Sequence, residues 1–314
     1  MILRLFEPRP APIPLAVPES FENLRGKTFL FGLGAQKAGS TWLSAYLERH
    51  PQIAISPIKE LHVWNQYLPF RFGYESARRA VKRFDFLSAR YLDPSKPPSG
   101  TKNGWENNPA RLEALRERMR MGADPSVYLH HFDRIAGPEA GACAEITPEY
   151  ALLPAELMVR VRNFLSPHFA AVKPVFLMRD PVDRLWSNMK HDHRRGRGGP
   201  ASETWRSRIR SREALDRSRY DMTCANLEKA FPREDILYLF YEDLFTVETL
   251  SRLCAFLGVD YHPVDETFLG EEVKKGVSDT MPADFVEAAR RKLDDVYVFA
   301  RRHFGDGVPA SWRF

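Results

Sequence analysis

Residues 28–43, TFLFGLGAQKAGSTWL, restrict this chain more than any other stretch. Thr28 to Phe31 is a β-branched and aromatic run of the kind that forms a buried strand. Gly32 and Gly34 follow, then the cluster Gln36, Lys37, Ala38, Gly39, Ser40 and Thr41. After Trp42 the apolar positions Leu43, Tyr46 and Leu47 fall at helical spacing. Strand, small-residue loop with a lysine, then helix N-terminus is an arrangement suited to an anion such as phosphate. The first helical N–H groups have no partner within the helix, and the helix dipole adds positive charge there. Lys37 contributes a full charge, and Ser40 and Thr41 contribute hydroxyls. The plain alternative is a strand–turn–helix with a solvated lysine. The loop is not a nucleoside-triphosphate P-loop, which places its lysine directly after the second glycine and a magnesium-binding hydroxyl next to it. Here Lys37 precedes Gly39 by two residues.

The rest of the chain alternates strands and helices. The pattern predicts a helix over 40–49, ended by His50-Pro51, and a short strand over 52–56. Strands are expected over 142–146, 175–178 and 236–240, with helices over 154–164, 220–230, 247–257 and 282–304. Alternation of this kind implies an α/β fold with a parallel sheet covered on both faces. Ligands of such sheets bind beyond the carboxyl ends of the strands. Residues 1–22 are proline-rich and read as an extended arm, and 23–314 as one domain. Within it 66–140 reads as a helical insertion over the sheet, with helices over 74–86, 109–120 and 127–132 and a loop over 94–104. A polar, arginine-rich stretch spans 194–219. It could form a lid over an anionic acceptor, or a solvated face.

The composition suits a globular protein, with 44% hydrophobic and 28% charged residues. A net charge of +5 fits an anionic ligand and is too small to argue for nucleic acid. Cys143, Cys224 and Cys254 are too widely spaced for a disulfide framework or a zinc site. No signal peptide and no run of 18 apolar residues is evident. A cytoplasmic protein with no membrane partner is therefore expected.

A second polar cluster follows the strand VFLM. In RDPVDRLWS, Asp180 can cap a helix whose first turn accepts Pro181. Arg179 lies at the strand end and Ser187 two turns into the helix. The two could meet one phosphate, with the guanidinium giving a bidentate contact. The alternative is an ion pair of Arg179 with Asp183.

Together these stretches resemble sulfotransferases that use 3′-phosphoadenosine-5′-phosphosulfate (PAPS). The order K-x-G-[ST]-T-W is similar to the family's 5′-phosphosulfate loop. Arg179, Asp180, Pro181, Arg184 and Ser187 are in the register of its R-[ND]-P-x-x-R-x-x-S. EITPEY (145–150) resembles its E-x-[ST]-P-x-Y, and YEDL (241–244) with FLGV (256–259) are further matches. The resemblance spans roughly residues 27–304. It implies a P-loop-like three-layer α/β/α fold, PAPS as co-substrate, adenosine 3′,5′-bisphosphate (PAP) as product and no metal. Residues 36–42 would hold the 5′-phosphosulfate, with Lys37 on the leaving oxygen. Arg179 and Ser187 would hold the 3′-phosphate. Trp42 has two readings, adenine stacking by resemblance or packing on the sheet, and the first is preferred.

The segment IKELHVWN (58–65) resembles the E-x-H-F-F-D segment of heparan sulfate sulfotransferases. That implies Glu60 as general base with His62 assisting, although Val63, Trp64 and Asn65 depart from the pattern. His130 and His131 are weaker candidates, since cytosolic members use a histidine from a later segment. Lys274, Lys275 and Gly276 resemble an R-K-G clamp on the 3′-phosphate, with Lys275 the candidate contact, or form a solvated turn. The acceptor, a hydroxyl or an amine, is left open: a glycan, a lipid, a peptide tyrosine or a small hydroxylated molecule such as a phenol. Two other functions stay in view, a P-loop-type small-molecule kinase and a non-catalytic nucleotide- or glycan-binding module.

Overall fold

The computed structural model describes residues 13–14, 17–68, 109–270 and 279–313, with side chains from 113 onward in the second long stretch. The expected helix over 74–86, the loop over 94–104, and Lys274, Lys275 and Gly276 lie outside the described residues.

Among the described residues five strands form one parallel sheet: β1 (Thr28–Gly34), β2 (Ile53–Ile55), β3 (Ala142–Ile146), β4 (Ala171–Met178) and β5 (Leu237–Phe240), in the order β2-β3-β1-β4-β5. Helices flank it, giving the α/β arrangement expected. The helices are α1 (Ser40–Arg49), α2 (Pro109–Arg120), α3 (Ser126–Ile135), α4 (Ala155–Leu165), α5 (Pro181–Arg194), α6 (Ala201–Arg208), α7 (Arg212–Asp216), α8 (Tyr220–Ala230), α9 (Val247–Leu257), α10 (Glu266–Gly270) and α11 (Ala283–Phe304). The chain runs to one side of β1 for β2 and β3 and to the other for β4 and β5. Such a reversal is where doubly wound sheets leave a ligand crevice.

β1 is buried along nearly its whole length, as its uninterrupted apolar run requires. Phe29 packs edge-on to Phe132 and tilted on Phe169, at centroid distances of 5.0 and 4.9 Å. Gly32 is a close-approach position: a Cβ there would lie 2.6 Å from the Glu145 carbonyl oxygen. β4 begins four residues earlier than its apolar run suggests and contains Pro174. Pro174 pairs with Phe31 of β1, but β5 joins only from Val175, so one side of the strand is still open at the proline. The arginine-rich stretch is not an extended loop, since 201–208 and 212–216 are helical. All three cysteines are buried and free. No described helix is long and apolar enough to cross a membrane.

Candidate active site

The loop after β1 is tied down at both ends. The Ala35 N–H donates to the Leu177 carbonyl of β4 at 2.7 Å, and the Ala38 N–H closes a turn onto Ala35. Gly39 caps α1 at φ 93°, and Lys37 also has a positive φ, 78°. At Gly39 a Cβ would meet Leu244 Cδ2 at 2.6 Å, so both conformation and space exclude a side chain. No side chain caps α1 and no acidic residue lies in its first turn. Its leading N–H groups are therefore left for an anion. Thr41 Oγ1 accepts a hydrogen bond from Lys59, which brings a second cation to the loop.

The second cluster meets the first. Arg179 Nη1 lies 3.5 Å from the Lys37 carbonyl oxygen. Its guanidinium rests 4.3 Å above the Tyr241 ring, and its backbone carbonyl accepts from Tyr220 Oη at 2.7 Å. Arg179 Nε is buried and has no hydrogen-bond partner among the described residues. The alternative pairing with Asp183 is present as a long contact, 3.8 Å, to a half-exposed carboxylate. Asp180 caps α5 as its sequence predicts, accepting from the Val182 and Asp183 N–H groups at 2.9 and 3.0 Å. YEDL backs this corner: the Asp180 N–H donates to Glu242 Oε1 at 2.8 Å, while Tyr241 lies beneath Arg179. Arg184 is fully buried and bonds Ser218 Oγ and the Ala214 carbonyl. It braces α5 against the α7 turn. Ser187 is partly buried on α5.

Glu60 and His62 come together as expected. His62 Nε2 is 3.5 Å from Glu60 Oε2, and its Nδ1 is 3.0 Å from Asn65 Oδ1 and 3.3 Å from Glu149 Oε2. Burial opposes the imidazolium, but the hydrogen bond to Glu60 and the charges of Glu149 and Glu60 outweigh it, so the His62 pKa is raised. Glu149 in turn pairs with Arg217 at 3.1 Å. Neither Glu149 nor Arg217 stood out in the sequence. Glu149 lies inside the quoted EITPEY, whereas Arg217 sits in a charge run that gives no sign of its role. Both line a small, shallow pocket whose wall also includes Gly34 and Gln36 from the β1 loop.

Two expectations change. Trp42 is 2% exposed, stacked on Phe268 at 4.9 Å with its Nε1–H on the Phe268 carbonyl at 3.0 Å. It presents no open ring face, and packing is the reading its surroundings support. His131 is fully buried, bonding Glu117 Oε2 at 2.6 Å and Ser56 Oγ at 3.0 Å, so it cannot meet an acceptor. His130 is on the surface, edge-on to Phe21. Of the nine arginines of 194–219, five pair with carboxylates: Arg206 with Asp284, Arg208 with Asp192, Arg212 with Asp216, Arg217 with Glu149 and Arg219 with Asp221.

A sequence profile described as the sulfotransferase family matches residues 30–263, well over half of the chain. The chain belongs to the sulfotransferase family. A solved sulfotransferase from Alicyclobacillus acidocaldarius shares the fold at a TM-score of 0.56 and 20% identity, covering 92% of this chain and 99% of that one. More distant structures include mouse SULT7A1 complexed with PAP, at TM-score 0.44 and 16% identity over 92% and 91% of the two chains. Another is the sulfotransferase domain of the curacin biosynthetic pathway, at TM-score 0.45 and 17% identity over 87% and 98%. No curated protein matches by sequence. Sulfuryl transfer is thus the chemistry of this family, and the parallel sheet with its β1 loop is this sulfotransferase's P-loop-like frame.

Proposed function

We propose that this sulfotransferase moves a sulfuryl group from PAPS to an acceptor hydroxyl or amine, with Glu60 as general base and Lys37 at the leaving oxygen. The observation that carries the reading is the meeting of two anion-binding elements, Arg179 against the backbone of the Lys37 loop. A ligand with phosphates at both ends of a nucleoside calls for two such elements. The site suits that ligand in three respects. The Gly39 cradle admits no side chain, the α1 N-terminus is uncapped, and Arg179 Nε is a buried donor with no partner among the described residues.

PAPS supplies an activated sulfuryl group whose departure leaves negative charge on a phosphate oxygen. In this reading the α1 N–H groups, Lys37 and Lys59 offset that charge, by positioning and electrostatics rather than covalent chemistry. Gln36 through Thr41 hold the 5′ end, and Arg179 with Ser187 the 3′-phosphate. Glu60 takes the acceptor proton. His62, set between Glu60 and Glu149, orients the Glu60 carboxylate.

Calorimetry with PAP, set against ATP with magnesium, separates a sulfotransferase from a kinase. Release of PAP from PAPS with 2-naphthol, an aminosugar and desulfated heparin separates an enzyme from a binding module. Tight PAP binding and acceptor-stimulated PAP release are expected. Preference for ATP with magnesium would overturn the reading.

A further inference from the structure

The segment carrying Glu60 and His62 is bent into a conformation its residues disfavour. Glu60 has φ 60° and His62 φ 54°, both in the left-handed region although neither is glycine. Such residues persist only where their surroundings over-determine them, and they gather at functional sites. Here the surroundings can be named. The His62 N–H donates to Thr147 Oγ1 at 3.4 Å, and the Val63 N–H to Tyr150 Oη at 3.0 Å. Each hydroxyl, having accepted a backbone N–H, turns its own proton to Glu145 Oε1, at 2.9 Å from Thr147 and 2.7 Å from Tyr150. Glu145 is 1% exposed, and its other oxygen accepts from Tyr128. On the carbonyl side, buried Arg118 donates from Nε to Leu61 and from Nη2 to His62, the latter at 3.2 Å.

We infer that Glu145 and Arg118 are positioning residues that hold Glu60 and His62 in their strained, working orientation. Glu145 acts through the hydroxyls of Thr147 and Tyr150, and Arg118 acts directly on the backbone. The inference rests on the reading of Glu60 as base. A buried carboxylate with three hydroxyl donors has an arrangement that does not drift, because each proton has one direction to point. The element it fixes is a loop, and a loop side chain displaced by about 1 Å can lose about a hundredfold in rate. The E-I-T-P-E-Y sequence thus gains a mechanical explanation. Its Glu, Thr and Tyr build the bracket, and its second Glu pairs with His62.

The test uses Tyr150→Phe and Thr147→Val, which remove one hydroxyl each, with Thr147→Ser as the conservative control. Amide exchange at His62 and Val63 is read by mass spectrometry or NMR, PAP affinity by calorimetry. Turnover is read as PAP release from PAPS, with the fastest acceptor of the panel above or with water alone. Exchange at the two amides is expected to quicken by about tenfold or more in the first two variants, with PAP affinity held within about twofold. PAP release is expected to slow by about tenfold to a hundredfold. Thr147→Ser should behave as the unaltered chain. Unchanged exchange, or unchanged PAP release despite faster exchange, would overturn the inference. Failure of the underlying reading is separate: it would appear in the unaltered chain as no PAP binding, or in Glu60→Gln as normal PAP release.

Discussion

Arg179 at the end of β4 reaches to 3.5 Å from the carbonyl oxygen of Lys37 in the loop after β1, joining two sequence clusters 142 residues apart. That relationship sets two candidate anion motifs side by side, as the proposed two-ended site requires. Arg179→Lys keeps the charge and loses the planar fork. PAP should bind about tenfold to a hundredfold more weakly, the worth of a lost charge-assisted hydrogen bond. Calorimetry checks this, and an affinity equal to the unaltered chain's would remove Arg179 from the site.

Gly39→Ala should be harmful twice over. The left-handed φ of 93° costs a residue with a side chain about 1–3 kcal/mol, and the new Cβ collides with Leu244. A lower melting temperature with loss of PAP binding is expected. Recovery of PAP affinity in a Gly39→Ala, Leu244→Ala double variant would show that collision dominates over strain.

Glu60→Gln removes the proposed base and preserves its shape. PAP release from PAPS with an acceptor should slow about a hundredfold or more, the usual worth of general-base catalysis, while PAP binding is spared. Stopped-flow or discontinuous assays at saturating PAPS read the first, calorimetry the second.

Trp42→Phe tests packing against nucleotide stacking. Loss of the Nε1 hydrogen bond to Phe268 should lower stability by about 1 kcal/mol, while PAP affinity stays within about twofold. A large loss of PAP affinity in a folded variant would restore the stacking role.

Acid sensitivity has an identifiable contributor. Burial would raise the Glu117 pKa, but the hydrogen bonds from His131 and Arg134 prevail and bring it to about 2 from 4.5. A carboxyl whose pKa is depressed by folding stabilises the fold in full above its unfolded value and loses that contribution as pH falls toward the folded one. Stability should therefore decline from about pH 4.5 toward pH 2, and Glu117→Gln should flatten that part of the curve. Urea titrations across this range check it. An unchanged slope would exclude Glu117 as the cause.

Much of this was legible from local chemistry. The β1 loop announced itself because a glycine-relieved turn, a lysine and a helix start are adjacent in sequence. The Asp180 cap was readable from R-D-P for the same reason. Helices over 40–49, 220–230 and 247–257 follow directly from periodicity. Trp42 was misleading because a tryptophan's surroundings are not local: Phe268, which covers it, lies 226 residues away. His131 carried the chemistry of a base but no mark of its burial. Glu149 and Arg217 are ordinary charged residues until the fold sets Glu149 beside His62 and Arg217 beside Glu149.

The sequence by itself determined the kinds of element and the two candidate anion-binding ends, because caps, turns and periodicity act over a few residues. The tertiary structure decided which of them share a site, through the strand order β2-β3-β1-β4-β5, which brings the ends of β1, β3 and β4 side by side. It also decided the geometry of Glu60 and His62. Their left-handed backbone is held by Arg118, Thr147 and Tyr150, residues 56 to 87 positions away. No local preference favours such a conformation, and only long-range hydrogen bonds can sustain it.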